Sequence, residues 1–451
     1  MSGIAEVLRN LGYEVNGSDL RESETTMRLR AMGIEVSIGH SADNIKNTDV
    51  VVISSAVAQD NPEVMAARKM SIPVIPRAEM LAELARLKYS VLVAGAHGKT
   101  TTTSLVASVL GDCNLDPTVV IGGKLKGIGS NAKLGEGEFL IAEADESDGS
   151  FLKLSPAIAV VTNIDREHLD FFKDIETIQG AFLSFINKVP FYGLAILCGD
   201  NEYIRKLLPD VRRRFITYGL GEGLDLVAKE IRSEGMKSEF EAVLNGRSLG
   251  RFEIPLVGDH NVSNGLAAIA VANELKLDME IIREALRNFS GVQRRFELKG
   301  TTADGVRVID DYGHHPSEIM ATLKAVKKVV RTGDIGEAGR LVVLFQPHRY
   351  TRTRDLLGEF IDAFADADKV VLMDIYPAGE KPLPGVDSEL LYRGIRDTGK
   401  DIEYIKERNY IIGYLDTELR ADDILLTLGA GDVWKLGEDF LEYKDGHPGN
   451  E

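Results

Sequence analysis

The sequence predicts an α/β protein of three domains, each a mainly parallel sheet with flanking helices. Three observations carry that expectation. Short apolar runs alternate with stretches of helical periodicity along the chain, the pattern that builds parallel sheets with crossover helices. Runs such as Phe139–Ala144 and Ile158–Thr162 are apolar and end in polar residues, as expected of strands covered on both faces. A length of 451 residues exceeds one ordinary domain. The divisions are placed at residues 1–88, 89–291 and 292–451.

In the first region Ile4–Leu11 and Thr25–Met32 read as helices, and Glu14–Gly17, Ile34–Ile38, Val50–Ser54 and Ile72–Ile75 as short strands. Ligands are expected outside the carboxyl ends of such strands, near Ser18-Asp19 and Ser54-Ser55-Ala56. A dinucleotide-type unit opens with a strand and a glycine turn, whereas Met1-Ser2-Gly3 already stands at a helix. The first strand and its glycine loop are therefore expected upstream of Met1.

The second region opens on Val91-Leu92-Val93-Ala94, followed by Gly95-Ala96-His97-Gly98-Lys99-Thr100-Thr101 and a helical stretch over Ser104–Leu110. Strand, glycine loop, lysine with hydroxyl, then helix is the order a triphosphate cradle requires. Glycines admit phosphate to backbone N–H groups, the helix N-terminus and lysine supply positive charge, and threonine can hold Mg²⁺. The spacing is shorter than the common pattern, with only Ala96 and His97 between Gly95 and Gly98; a glycine turn without a ligand is the alternative. Further strands are expected at Ala195–Cys198, Phe215–Tyr218 and within Ser238–Pro255, and helices at Ser263–Leu275 and Met279–Phe289. The third region carries strand signals at Val306–Ile309, Leu341–Phe345, Val370–Met373 and Ile424–Leu428. Lys324–Arg331 reads as a solvated helix face.

A formal net charge of −17 argues against general binding to nucleic acid or anionic membranes. Any anionic substrate must be met by local clusters of cations. The two cysteines, Cys113 and Cys198, suit a reducing compartment and read as packed thiols. No apolar run approaches spanning length and no signal peptide precedes the start. A cytoplasmic protein without membrane insertion, monomeric or homodimeric, is expected.

Several polar clusters follow apolar strands. Glu143-Ala144-Asp145-Glu146-Ser147-Asp148 stands where a phosphate-loop sheet places its Mg²⁺ carboxylate, and Glu143 is nearest the strand. Thr162–Asp170 contains His168, for which a structural and a ligand role both stand open. His260-Asn261-Val262-Ser263-Asn264 precedes an alanine-rich helix; its amides suit a nucleotide edge or a metal water, and capping by Asn261 is the simpler account. Asp310–Pro316, with Tyr312 and His314, and Gln346–Thr353, with Arg349 and Arg352, concentrate His and Arg at strand ends. Two arginines three apart can converge on one carboxylate or phosphate. Arg294 and Arg295 lie at a domain boundary and could reach across a cleft or form interdomain ion pairs.

Taken together these stretches resemble the Mur ligase family. Its short phosphate loop, usually Gly-Thr-His-Gly-Lys-Thr, is matched by Gly95–Thr100 with Ala96 departing at the threonine. Ala142–Phe151, Thr162–Asp170, Gly258–Asn264, Asp310–Pro316 and Phe345–Thr353 match in order, so the resemblance spans essentially the whole chain. It implies a Rossmann-like UDP-binding domain, a central P-loop ATPase and a Rossmann-like C-terminal domain that binds the amino acid. The implied reaction uses ATP and Mg²⁺ to join L-alanine to the lactyl carboxylate of UDP-N-acetylmuramate through an acyl phosphate, in peptidoglycan precursor synthesis. Alternatives are a tripeptide-adding recycling ligase of the family and a nucleotide-binding protein without ligase activity.

The resemblance further implies that Gly95, Ala96, His97, Gly98, Lys99, Thr100 and Thr101 cradle phosphates. Thr100 and Glu143 hold one Mg²⁺, and His168 a second metal. Asn261 and Asn264 lie beside the nucleotide, and Arg295 and Asp310 close onto it. Tyr312, His314, Arg349 and Arg352 hold the amino acid and the substrate carboxylate. The family's Gly-Ile-Gly-Gly diphosphate loop would precede Met1, so weakened UDP-substrate binding by residues 1–451 is expected.

Overall fold

The computed structural model describes residues 1–54, 56–125, 130–331 and 339–446, so Ser55 of the expected loop lies outside the described residues. The chain divides into two compact units, and the sequence does not run through them in one pass. The first comprises Met1–Ala228, Ala242–Gly250 and Ser263–Ser290; the second comprises Lys229–Glu241, Arg251–Val262 and Gly291 onward.

In the first unit the predicted runs become the parallel strands Phe215–Gly219, Leu194–Cys198, Ile158–Val161, Tyr89–Ala94 and Phe139–Glu143, in that order, and Thr118–Leu125 adds a further parallel strand beside the last. Ser130–Lys133 closes this side antiparallel to Thr118–Leu125. Val91–Ala94 and Ile158–Val161 are completely buried, which is why these strands show no polar alternation. The register sets Val93 beside Glu143 and Ala94 beside Val161. Three polar clusters thus leave adjoining strands at the same edge. The helix Lys99–Asp112 starts directly after the glycine loop, with Gly98 as its N-cap.

The N-terminal residues carry two separate parallel pairs, Asn16–Asp19 with Glu35–Ile38 and Val51–Ile53 with Val74–Pro76. The first strand falls two residues later than expected and is mostly exposed, so burial did not shape its pattern. Strands at Thr118–Leu125, Ser130–Lys133, Leu226–Glu234 and Glu297–Thr301 were not expected. Cys198 is buried, but Cys113 is only partly so, correcting its reading as a packed thiol.

The second unit holds a six-stranded sheet in the order Glu297–Thr301, Arg307–Asp311, Ile424–Leu428, Leu341–Phe345, Lys369–Leu372 and Ile402–Tyr404, antiparallel only at the first pair. The chain skips one place after Arg307–Asp311 and returns at its end to fill it with Ile424–Leu428. Such a reversal of strand order opens a crevice at the carboxyl edge. Below it, Phe345 lies 5.9 and 5.0 Å from the ring centres of Phe360 and Phe364 in an apolar core. On the helix Pro316–Arg331, Lys324 is exposed and Lys327 pairs with Asp366 at 2.9 Å, in keeping with a solvated face.

Phe345→Ala should cost about 3–5 kcal/mol, since the removed ring leaves a cavity among buried neighbours. Chemical denaturation would read this, and a loss under 1 kcal/mol on the order of a surface change would contradict that packing role.

Candidate active site

The phosphate loop is stapled to the neighbouring strand end. His97 donates its backbone N–H to Asn163 Oδ1 at 2.8 Å, while its carbonyl accepts from Thr162 Oγ1 at 2.6 Å and Asn163 Nδ2 at 3.0 Å. The His97 ring lies 3.0 Å from Asp165 Oδ2. Gly95 has φ of 138°, and a Cβ there would lie 2.1 Å from Thr162 Oγ1. Gly98 has φ of 79°, and its Cβ would meet Asn264 Oδ1 at 2.7 Å. Both positions need glycine for backbone angle and for space.

Lys99 donates to Gly95 O at 2.6 Å and to both Glu146 oxygens at 2.8 and 2.9 Å. Burial opposes its charge, but the Glu146 and Asp145 carboxylates outweigh burial and hold its pKa above the usual lysine value. Burial pushes Glu146 up, to about 7, against the pull of Lys99. Thr100 and Thr101 are buried in the first helical turn. Glu143 ends its strand and accepts from Gly122 N–H at 2.8 Å. His168, at φ of 55°, lies 3.7 Å from Glu146 and 3.9 Å from Glu167. Glu146, Glu167 and His168 each offer a ligand atom, all within 4.8 Å of one another.

Glu146 and Glu167 were not singled out from the sequence. Both sit in quoted clusters, yet only the turn after Glu143, closed by Gly149 N–H on Glu146 O at 2.9 Å, shows which carboxylate turns inward. The helix Asp259–Glu274 starts earlier than expected, so His260–Asn264 lie within it. Asn261 is therefore no N-cap: its side-chain amide donates to Val257 O at 2.8 Å. Asn264 accepts from Thr102 Oγ1 at 3.1 Å, beside the phosphate-loop helix.

In the second unit Asp310 is buried, with one oxygen bound to Arg294 Nε at 3.0 Å and the other to Thr427 Oγ1 at 2.8 Å. Arg294 also donates to the carbonyls of Gly431 and Gly429. Arg295 lies 5.0 Å from the centre of the Tyr312 ring and 3.7 Å from Glu318. These partners of Arg294 and Arg295 belong to their own unit, not to an interdomain pair. Glu318, also not anticipated, accepts from the backbone N–H groups of His314 and His315 at 3.0 and 3.3 Å.

His348 stacks on Tyr376 at 5.6 Å, with His314 at 5.7 Å, and its Nδ1 accepts from Arg352 Nη1 at 3.2 Å. Burial, His314, Arg352 and Arg349 press the His348 pKa down to about 3. That depression reports a positive potential around the ring, set in part by Arg352 and Arg349. Arg349 has φ of 70° and caps the helix Tyr350–Asp355.

Parallel sheet, glycine loop, buried lysine and adjoining carboxylates define an α/β nucleotide-binding enzyme of the phosphoryl-transfer kind. Residues 1–89 match the Mur ligase family, catalytic domain; residues 93–272 the Mur ligase middle domain; and residues 294–431 the Mur ligase, glutamate ligase domain. A UDP-N-acetylmuramate–L-alanine ligase from Geotalea uraniireducens is 56% identical over 98% of this chain and 95% of its own. A crystal structure of UDP-N-acetylmuramate-alanine ligase from Thermotoga maritima superposes with a TM-score of 0.82 at 29% identity, covering 99% of this chain and 96% of that one. A murein peptide ligase from Psychrobacter arcticus shares the fold, with a TM-score of 0.70 at 22% identity over 98% and 96% of the two chains. The chain belongs to the Mur ligase family and is an amide-forming ligase.

Gly95→Ala should lower nucleotide affinity by at least about tenfold, because the methyl displaces Thr162 and with it the His97 staple; strain of roughly 1–3 kcal/mol sets that scale. Unchanged titration calorimetry with ATP would contradict it. Burial pushes His260 from 6.5 down to about 4, against the pull of Asp259 and Glu318. The unfolded chain therefore binds a proton between about pH 6.5 and 4 that the fold refuses. Stability contributed by neutral His260 is present above this window and lost as pH falls through it, by about 1.4 kcal/mol per pH unit. His260→Gln should flatten that acid slope in denaturant titrations; an unaltered slope would remove His260 as its source.

Proposed function

We propose that this chain is an ATP-dependent ligase that joins L-alanine to the lactyl carboxylate of UDP-N-acetylmuramate in cytoplasmic peptidoglycan precursor synthesis. What carries the reading is the convergence of Lys99, Thr100, Glu143 and His168 from adjoining strand ends, in a chain that resembles ligases named for this reaction along nearly its whole length. Residues 1–88 would take the UDP substrate, 89–291 ATP and 292–451 the amino acid.

The site suits magnesium nucleotide. Thr100 and Glu143 offer hard oxygen donors, and Mg²⁺ takes few protein ligands when phosphates supply the rest. Bound ATP supplies the phosphoryl group that converts a poor electrophile, a carboxylate, into a reactive acyl group, while Mg²⁺ screens the phosphates. The loop Gly95–Thr101 presents backbone N–H groups and the helix dipole to those phosphates, and Lys99 adds a full charge. His168 would hold a second divalent cation, and Asn261 and Asn264 would serve the nucleotide.

Asp310 fixes Arg294 within its sheet, and Arg295 would be the cation of that segment that serves the nucleotide. Tyr312, His314, Arg349 and Arg352 hold the amino acid and the carboxylate to be activated. Neutral His348 accepts from Arg352 and so orients that guanidinium without adding charge. The tripeptide-adding reading shares this donor half and differs only in the acceptor.

With UDP-N-acetylmuramate and ATP, phosphate release should depend on L-alanine and be weak with glycine, L-serine or a tripeptide. Lys99→Ala should abolish it. Arg352→Ala should reduce kcat/KM by roughly 10–100-fold, the value of a charge-assisted hydrogen bond. Preference for the tripeptide would replace this reading with the recycling one, and absence of ATP-dependent turnover would leave only nucleotide binding.

A further inference from the structure

Glu146 serves two neighbours at once. Its two oxygens lie 2.8 and 2.9 Å from the Lys99 ammonium, and its side chain is 3% exposed against 16% for the lysine. One of those oxygens also lies 3.7 Å from His168 Nε2, in the cluster completed by Glu167. Two carboxylates and an imidazole are the donor chemistry of a divalent-cation site. An ammonium and a divalent cation repel strongly when they share one buried carboxylate, so the two occupants of Glu146 exclude each other. Phosphate oxygens entering the loop compete with Glu146 for the same ammonium, because Lys99 also reaches the Gly95 and Ala96 carbonyls at 2.6 and 3.3 Å.

We propose that Lys99 and Glu146 form a latch that couples the second cation to the nucleotide. Before nucleotide arrives, the Lys99 ammonium occupies the cation's place on Glu146. When phosphates draw Lys99 away, Glu146 is released to join Glu167 and His168 around a divalent cation. Cation alone is kept out, and the site becomes complete only with its phosphoryl donor in place. The inference deepens the reading of His168 as a metal residue and rests on it for the identity of the third ligand.

The test is Mn²⁺ titrated alone into the full chain, with free ion counted by electron paramagnetic resonance. Lys99→Met should bind Mn²⁺ at least about tenfold more tightly than the wild type, a typical coupling. Lys99→Arg, which keeps the charge, should stay as weak as the wild type, and Lys99→Met with Glu146→Gln should return to it. Equal affinity of Lys99→Met and wild type, or tight binding by the double variant, overturns the latch.

A second measurement stands independent of how well Lys99→Met folds. Glu146→Gln should bind a fluorescent ATP analogue in EDTA several-fold more tightly than wild type, because no carboxylate then competes for Lys99. Unchanged or weaker affinity overturns the proposal. Adding His168→Ala to Lys99→Met separates the two ideas. Lost Mn²⁺ binding supports His168 as a ligand, while retained binding that still depends on Glu146 removes His168 and supports the latch alone.

Discussion

Everything in the first unit's site depends on the adjacency of three parallel strands. Tyr89–Ala94 lies between Phe139–Glu143 and Ile158–Val161, and each ends in a polar segment at the same edge. Because parallel neighbours end together, one sheet edge gathers a glycine loop, a carboxylate cluster and a His-bearing segment from as far apart in sequence as Gly95 and His168. These strands are buried on both faces, and their parallel ladders set which residues stand side by side. The hydrogen bonds from Thr162 and Asn163 to His97 then hold the loop at a fixed height. A loop of glycines has no stiffness of its own, and its shape is borrowed from the strand beside it.

Charge sets the second constraint. A chain of net −17 repels the anions it must hold, so the cations are concentrated where they are needed. Near the phosphate loop that is Lys99, kept charged despite burial by Glu146 and Asp145. In the second unit it is Arg349, Arg352 and Arg294 about a histidine that they and burial keep neutral. Both arrangements raise local positive potential without leaving a buried charge unpaired, which would cost several kcal/mol.

Much of this was legible in sequence wherever burial wrote the pattern. The central strands of both sheets are continuous apolar runs, and the clusters that follow them proved to lie at carboxyl edges. Legibility failed where burial was one-sided or absent. Leu226–Glu234 alternates buried and exposed residues among charges, and Asn16–Asp19 is nearly all exposed. It failed also in the acidic cluster. Glu143 drew attention as the residue nearest the strand, but the backbone turn beyond it buries Glu146, three residues on, against Lys99. Which of several carboxylates faces inward is decided by a turn and by a partner lysine 47 positions away, and neither leaves a local signal. Asn261 shows the same limit: the helix begins at Asp259, two residues before the asparagine whose capping preference suggested the boundary.

Backbone strain occurs in some of these segments. Non-glycine residues with positive φ are a few per cent of most chains, and His168, Arg294, Phe296 and Arg349 are among those of this chain, at 55°, 59°, 50° and 70°. Each costs on the order of 1–3 kcal/mol unless its surroundings compensate. The compensation is visible for three of them. Arg349 N–H bonds to Tyr376 O at 2.9 Å, and the Arg294 side chain is held by Asp310 and the Gly431 carbonyl. Phe296 donates its N–H to Asp311 at 2.8 Å, a carboxyl that burial raises to about 6. Local preference alone would relax these residues and swing their side chains away from the strand ends. Tertiary contacts therefore hold Arg294, Phe296 and Arg349 in conformations that local preference disfavours.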